Sequence, residues 1–282
     1  MTVAEKLQRD GFTNDEILDF FKNAARKVYA LVRDADPGNQ FAKYRRAQVA
    51  AILRIIAELD AQQKAWVKEH IPGIMEAANE EVTEQMRGEA GFSFRFAGVN
   101  QEAVKVLTSV TALNFGNAVT GLKASGEKAL LNKRAIQSEI VQGVIQGASV
   151  SRTQRELLAD LRQNGFRAVR YRNGREVALE DYTNMLIRTQ SVMAYNTAAR
   201  NTMLAAGRLF GIFPTIRPDI DGEDVCNEWE RKKFVNLKTD PLPPLSTHPR
   251  CRHVVRAATF EELRERPDLY QQAVGFYHAT VG

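Results

Sequence analysis

Eleven residues near the C-terminus, Pro243-Pro244-Leu245-Ser246-Thr247-His248-Pro249-Arg250-Cys251-Arg252-His253, carry two of the chain's four histidines and one of its two cysteines. The other cysteine, Cys226, precedes them in the same loop-rich stretch. Thiolate and imidazole are preferred zinc donors, so Cys226, His248, Cys251 and His253 could together make a tetrahedral nitrogen and sulfur site. In an extended chain, however, Cys251 and His253 point to one side and His248 to the other. A thiol beside an imidazole is also the chemical minimum for nucleophilic catalysis. Here no helix N-terminus follows Cys251 to lower its pKa, and Pro249 with Arg250 and Arg252 reads as packing or recognition. A Cys226–Cys251 disulfide is a third chemistry, one that a reducing cytoplasm disfavours. The residues favour a structural loop in which His248-Pro249 fixes a turn, Cys251 buries a small thiol, and Arg250 and Arg252 face a partner or solvent.

Upstream, Arg162, Arg167, Arg170, Arg172 and Arg175 crowd around Tyr171. Guanidinium groups match phosphates bidentately and a tyrosine ring can stack on a base, so this segment is a candidate contact for double-stranded DNA. A solvated basic face, or a grip on an acidic protein partner, explains the same residues and is the preferred reading. The acidic cluster Asp219, Asp221, Glu223 and Asp224 lacks the ordered spacing of a calcium loop and reads as solvated. The chain has no phosphate-binding loop, no dinucleotide fingerprint and no Gly-x-Ser-x-Gly, and no enzyme activity or cofactor is expected. In the helix that follows, Arg188, Ser191, Val192 and Tyr195 recur at three- and four-residue spacing and share a face. That stripe is either a buried polar network anchoring the histidine and cysteine loop or a partner-binding surface.

The elements that must hold these residues are mostly helical. Thr13-Asn14-Asp15-Glu16 has the form of a capping box and opens an apolar-periodic run from Ile17 to Leu31, which Asp36-Pro37-Gly38-Asn39 ends. A second helix is predicted over 41–70, broken at Ile71-Pro72-Gly73, and a third to about Met86. The stretch 88–96 alternates aromatic and polar residues and reads as a short strand or ordered loop. A helix over 101–120 precedes Gly121-Leu122-Lys123-Ala124-Ser125-Gly126, whose small and polar residues suggest a boundary. Beyond it, helices are predicted over 128–146 and from Ser151 to Asn164-Gly165. Asn173-Gly174 between alternating flanks predicts a hairpin. A long helix over 180–208 and strands at Ile212–Ile216 and Val254–Ala258 complete the reading. The expected fold is α+β and predominantly helical: a long-helix domain over 1–121, then a mixed domain over 127–282 with a small sheet or hairpin.

Composition fits two domains of ordinary size. Of 282 residues, 44% are apolar, and no run approaches the roughly 18 apolar residues of a membrane span. The start carries no apolar segment behind a basic one, so export is not expected. Two cysteines are too few for a disulfide framework. A net charge of +5 permits contact with a polyanion without demanding it.

In this order, the pieces resemble the head-morphogenesis or minor capsid proteins of tailed bacteriophages, the Mu F-like group. The resemblance covers about residues 127–258. It is carried by Val144-Ile145-Gln146-Gly147-Ala148-Ser149, by Thr153-Gln154-Arg155-Glu156-Leu157-Leu158, by the hairpin leading to Arg188-Thr189-Gln190, by Tyr195-Asn196, and above all by His248-Pro249-Arg250-Cys251-Arg252-His253. It implies a structural or assembly protein of the virion, present in few copies inside the head near the portal. In the host cytoplasm it would assemble with the portal protein and other head proteins, with packaged DNA as a further contact. Mu F-like domains also occur joined to toxin domains, so a DNA-directed enzyme or a DNA-binding module is the alternative class. The group's pattern commonly places a Cys-x-x-Cys pair where this chain has Cys226-Asn227-Glu228-Trp229; the tryptophan weakens zinc as an implied cofactor and leaves the structural loop as the favoured reading.

Overall fold

In a computed structural model the described residues are 1–9, 14–34, 42–90, 96–145, 167–170, 176–213, 226, 229, 234–244 and 251–281. Among them are helices α1 (Val3–Gln8), α2 (Asp15–Asp34), α3 (Ala42–Ala90), α4 (Phe96–Ile145), α5 (Leu179–Ala205), α6 (Phe260–Leu263) and α7 (Pro267–Val281). Strands β1 (Arg167–Arg170) and β2 (Glu176–Ala178) form an antiparallel pair. Strands β3 (Phe210–Ile212), β4 (Val235–Asn236) and β5 (Arg256–Ala257) form a small antiparallel sheet in the order β4-β3-β5. The fold is therefore α+β and predominantly helical, with its three-stranded sheet in the C-terminal part, as the sequence predicts. No described helix is long and apolar enough to cross a membrane.

Two predicted breaks are not breaks. Pro72 lies inside α3, although an interior proline removes a backbone hydrogen bond and costs about 3 kcal/mol. The buried stripe Val67, Ile71, Ile74, Met75, Ala78 and Val82 runs straight across it, and burial of that face outweighs the local penalty. Likewise residues 121–126 lie inside α4, and Val119 and Leu122 are buried at its three-residue spacing. Gly88 to Ala90 extend α3 and Phe96 opens α4, so the ends of the stretch read as a strand are helical; 91–95 lie outside the described residues. The predicted helix from Ser151 to Asn164 is outside them too. At α2 the cap shifts by one residue: Asn14 Oδ1 accepts from the Glu16 N–H at 3.2 Å, and the helix begins at Asp15. The hairpin strands pair antiparallel as predicted, but Val169 stands opposite Val177 and Arg170 opposite Glu176, one residue off the register of a two-residue Asn173-Gly174 turn, and 171–175 lie outside the described residues. Strand β3 starts two residues earlier than expected.

The chain gathers into two compact units, each assembled from separated stretches. One comprises Asn14–Trp66 and Ala112–Asn184. Its core joins Ile17, Phe21, Ile52, Leu59, Phe115 and Leu122, with the Phe115 ring 6.0 Å from Phe21 and edge-on to Trp66 at 5.8 Å. The other comprises Met1–Thr13, Val67–Thr111 and Met185–Gly282, and it holds the sheet and the signature loop. There Leu209, Phe210, Ile212 and Phe234 pack with Leu263 and Ala273, covered by Phe260, Leu269, Tyr270 and Phe276 of α6 and α7. The turn from α5 into β3 depends on Gly207 at φ +73°. Its N–H donates to Leu204 O at 3.0 Å while the Arg208 N–H donates to Met203 O at 2.8 Å, the paired closure of a Schellman motif.

Candidate functional site

The site is organised by α5. More than half of its described positions are buried, and Arg188, Ser191, Val192 and Tyr195 form the shared buried face that their spacing predicts. Asn196, also buried, uses its whole amide on the signature loop. Nδ2 donates to Pro243 O at 2.8 Å and to His253 O at 2.9 Å, and Oδ1 accepts from the Val255 N–H at 2.8 Å. A primary amide has two donors and one acceptor to offer in this way, so one side chain fixes the loop backbone on both sides of the signature. Thr189 instead turns back on its own helix and donates to Met185 O at 2.7 Å.

Held by that bridge, Cys251 and His253 do point to the same side. Cys251 Sγ lies 3.4 Å from His253 Nδ1 and 3.7 Å from Cys226 Sγ, and the three donor atoms all lie within 4.8 Å of one another. Each of the three residues is at most 6% exposed, and neither cysteine is in a disulfide. These are the described residues that could hold a metal. The Phe213 ring stands edge-on to His253 at 6.2 Å and to Trp229 at 5.7 Å, so Trp229 belongs to an aromatic wall beside the cluster. His248, Pro249 and Arg250 lie outside the described residues, as do Tyr171, Arg172, Arg175 and the acidic cluster at 219–224. Arg167 and Arg170 lie on β1.

Arg252 does not simply face outward. It is partly buried, and Nη1 reaches Gln8 O over a long 3.5 Å. Arg188 Nη2 donates to Arg9 O at 2.8 Å. Both guanidinium groups thus meet carbonyls at the C-terminal end of α1, where unsatisfied acceptors and the negative pole of the helix attract cations. The opposite end of α1 is met by Glu81 of α3, whose carboxylate accepts from the Val3 and Ala4 N–H groups and, at 2.9 Å, from Tyr195 Oη. Burial, and then the Glu81 charge, push the Tyr195 phenol well above its usual range.

Further polar pairs tie α5 to α3 and α4. His70 Nε2 is 3.1 Å from Ser191 Oγ, Thr202 Oγ1 donates to Asn79 Oδ1 at 2.8 Å, Asn201 Nδ2 to Asn100 Oδ1 at 3.0 Å, and Thr111 Oγ1 to Gln190 Oε1 at 3.0 Å. Burial lowers the His70 imidazole to about 4. The sequence reading missed His70, Asn79, Glu81 and Asn100. One signal was present: Asn79 stands at helical spacing with Met75 and Val82, a polar residue inside an apolar stripe. The arrangement as a whole locks one buried helix to a loop and to the chain's first turn through hydrogen bonds made largely to backbone. Compared with models of known protein families, with curated proteins and with solved structures, the chain matches none of them.

Proposed function

We propose that the chain is a minor head protein of a tailed bacteriophage, of the Mu F-like group: a low-copy structural and assembly component of the virion, associated with the portal and the inside of the head. The observation that carries the proposal is the Asn196 bridge. The Tyr195-Asn196 pair and the loop ending in His253 are separate members of the ordered motif set, and a single amide joins them through Pro243, His253 and Val255. A structural role for the signature is supported by where its polar groups go. Asn196 is spent on backbone, Arg188 and Arg252 reach α1 carbonyls, and Tyr195 donates to the carboxylate that meets the start of α1. Residues held for chemistry on a substrate would keep donors aimed at a cleft.

The test is co-expression with the portal protein encoded in the same phage genome, with an affinity tag on the portal. The proposal expects the chain to be retained with the tagged portal and to co-elute in gel filtration. A folded chain that passes through unretained at physiological and at low salt contradicts portal association.

A further inference from the structure

We infer that Cys226, Cys251 and His253 bind a zinc ion, with two thiolates and the imidazole Nδ1 as ligands. The inference is independent of the phage reading and rests on the shape of the cluster. Around tetrahedral zinc, Zn–S bonds of about 2.3 Å and Zn–N bonds of about 2.0–2.1 Å place two sulfurs about 3.8 Å apart, and a sulfur and a nitrogen about 3.6 Å apart. Two edges of the cluster are 3.7 Å for Cys226 Sγ to Cys251 Sγ and 3.4 Å for Cys251 Sγ to His253 Nδ1. The remaining edge, within 4.8 Å, closes a triangle that one ion can face.

Three further observations agree with a metal. The donors are soft or borderline, two sulfurs and an imidazole, a set that selects zinc over magnesium or calcium. All three residues are buried, where a thiol pair by itself makes only weak hydrogen bonds, whereas a divalent cation compensates two buried thiolates. Two ligands also come from a preorganised backbone: the i, i+2 spacing puts Cys251 and His253 on one side, and Asn196 holds the His253 carbonyl and the Val255 N–H in place. His248 lies outside the described residues, and the triangle does not require it. The fourth coordination position falls to a donor beyond these three. Binding displaces the two thiol protons, and the ion then links Cys226 to the signature loop without any oxidant.

The test uses the full chain, expressed in zinc-supplemented medium and purified under reducing conditions without chelator. Elemental analysis is expected to find about one zinc per chain, and the Cys226→Ser and Cys251→Ser variants to lose most of it while keeping the helical circular dichroism of the parent. After zinc removal, titration with Co2+ is expected to give thiolate charge-transfer absorption in the near ultraviolet and the visible bands of tetrahedral cobalt. Zinc-free reduced protein with no cobalt bands overturns the inference. So does zinc that persists in both serine variants, or a Cys226–Cys251 disulfide in the freshly purified chain. Should the serine variants fail to fold, the cobalt spectrum of the unaltered protein decides.

Discussion

At the scale of single residues, Asn196 carries the most structural information. Replacing it with alanine leaves two buried carbonyls and one N–H without their partner, and each orphaned group costs about 1–3 kcal/mol, less whatever relaxation recovers. Asn196→Ala is therefore expected to lower unfolding free energy in urea by roughly 2–4 kcal/mol. Asn196→Asp, of the same shape, should be no better, because it sets an oxygen against the Pro243 and His253 carbonyls. His70 makes a separate prediction. Its folded pKa of about 4 lies below the 6.5 of the unfolded chain, so the unfolded state binds a proton that the folded state refuses. Its contribution is present above pH 6.5 and is lost as pH falls from 6.5 towards 4, by up to about 3 kcal/mol. Urea unfolding at pH 7.5 and 4.5 checks this: His70→Asn should lose less stability between the two than the parent, and an equal loss in both would assign the acid sensitivity to other groups. In the sequence, Asn196 was visible only as a member of a motif, since a primary amide bonded to loop backbone leaves no periodic trace. The shared direction of Cys251 and His253 was legible, because alternation in an extended chain is local geometry.

At the scale of elements, local rules and burial compete, and burial wins in the long helices. Proline at 72 predicted an end that the continuous buried face of α3 overrides, and the glycines at 121 and 126 likewise lie within α4. Glycine decides where it is needed for φ. A β-carbon on Gly207 would sit 3.0 Å from the Tyr277 side chain and 3.0 Å from that of Val281, on a backbone at φ +73°. Gly207→Ala should destabilise by about 1–3 kcal/mol in thermal or urea unfolding. Gly116, mid-helix with nothing within 4 Å of an added β-carbon, should give the opposite sign, with Gly116→Ala stabilising by about 0.5–1 kcal/mol. Helix α1 is too short to persist alone and depends on what meets its ends. Glu81→Ala is expected to raise amide hydrogen exchange across residues 3–8 well before it changes exchange in the centre of α5; unchanged protection there would refute the role given to Glu81. The contacts that dock α1 were illegible in sequence, because Glu81, Arg188 and Arg252 lie on three separated segments and their partners are main-chain atoms.

At the scale of the whole molecule, fold class followed from pattern: helical periodicity through the first half, then a turn-rich stretch with short strands. The composition of the compact units did not follow, because each joins stretches separated by dozens of residues, and a sequence read in one direction offers boundaries only where the local chain changes character. The signature loop was recognisable as a set of residue types, while its role as a place where helix, loop and first turn are joined emerged only from side chains meeting backbone. That joining supports the proposed architectural role, and the proposal of a phage head protein requires that the chain be found in the head. For the proposed role, the most direct measurement is quantitative mass spectrometry of gradient-purified virions of a tailed phage whose genome encodes this chain. Its peptides are expected in mature particles at a level comparable to the portal and far below the major capsid protein; virions that lack it, from a phage whose infected cells make it, would contradict that role.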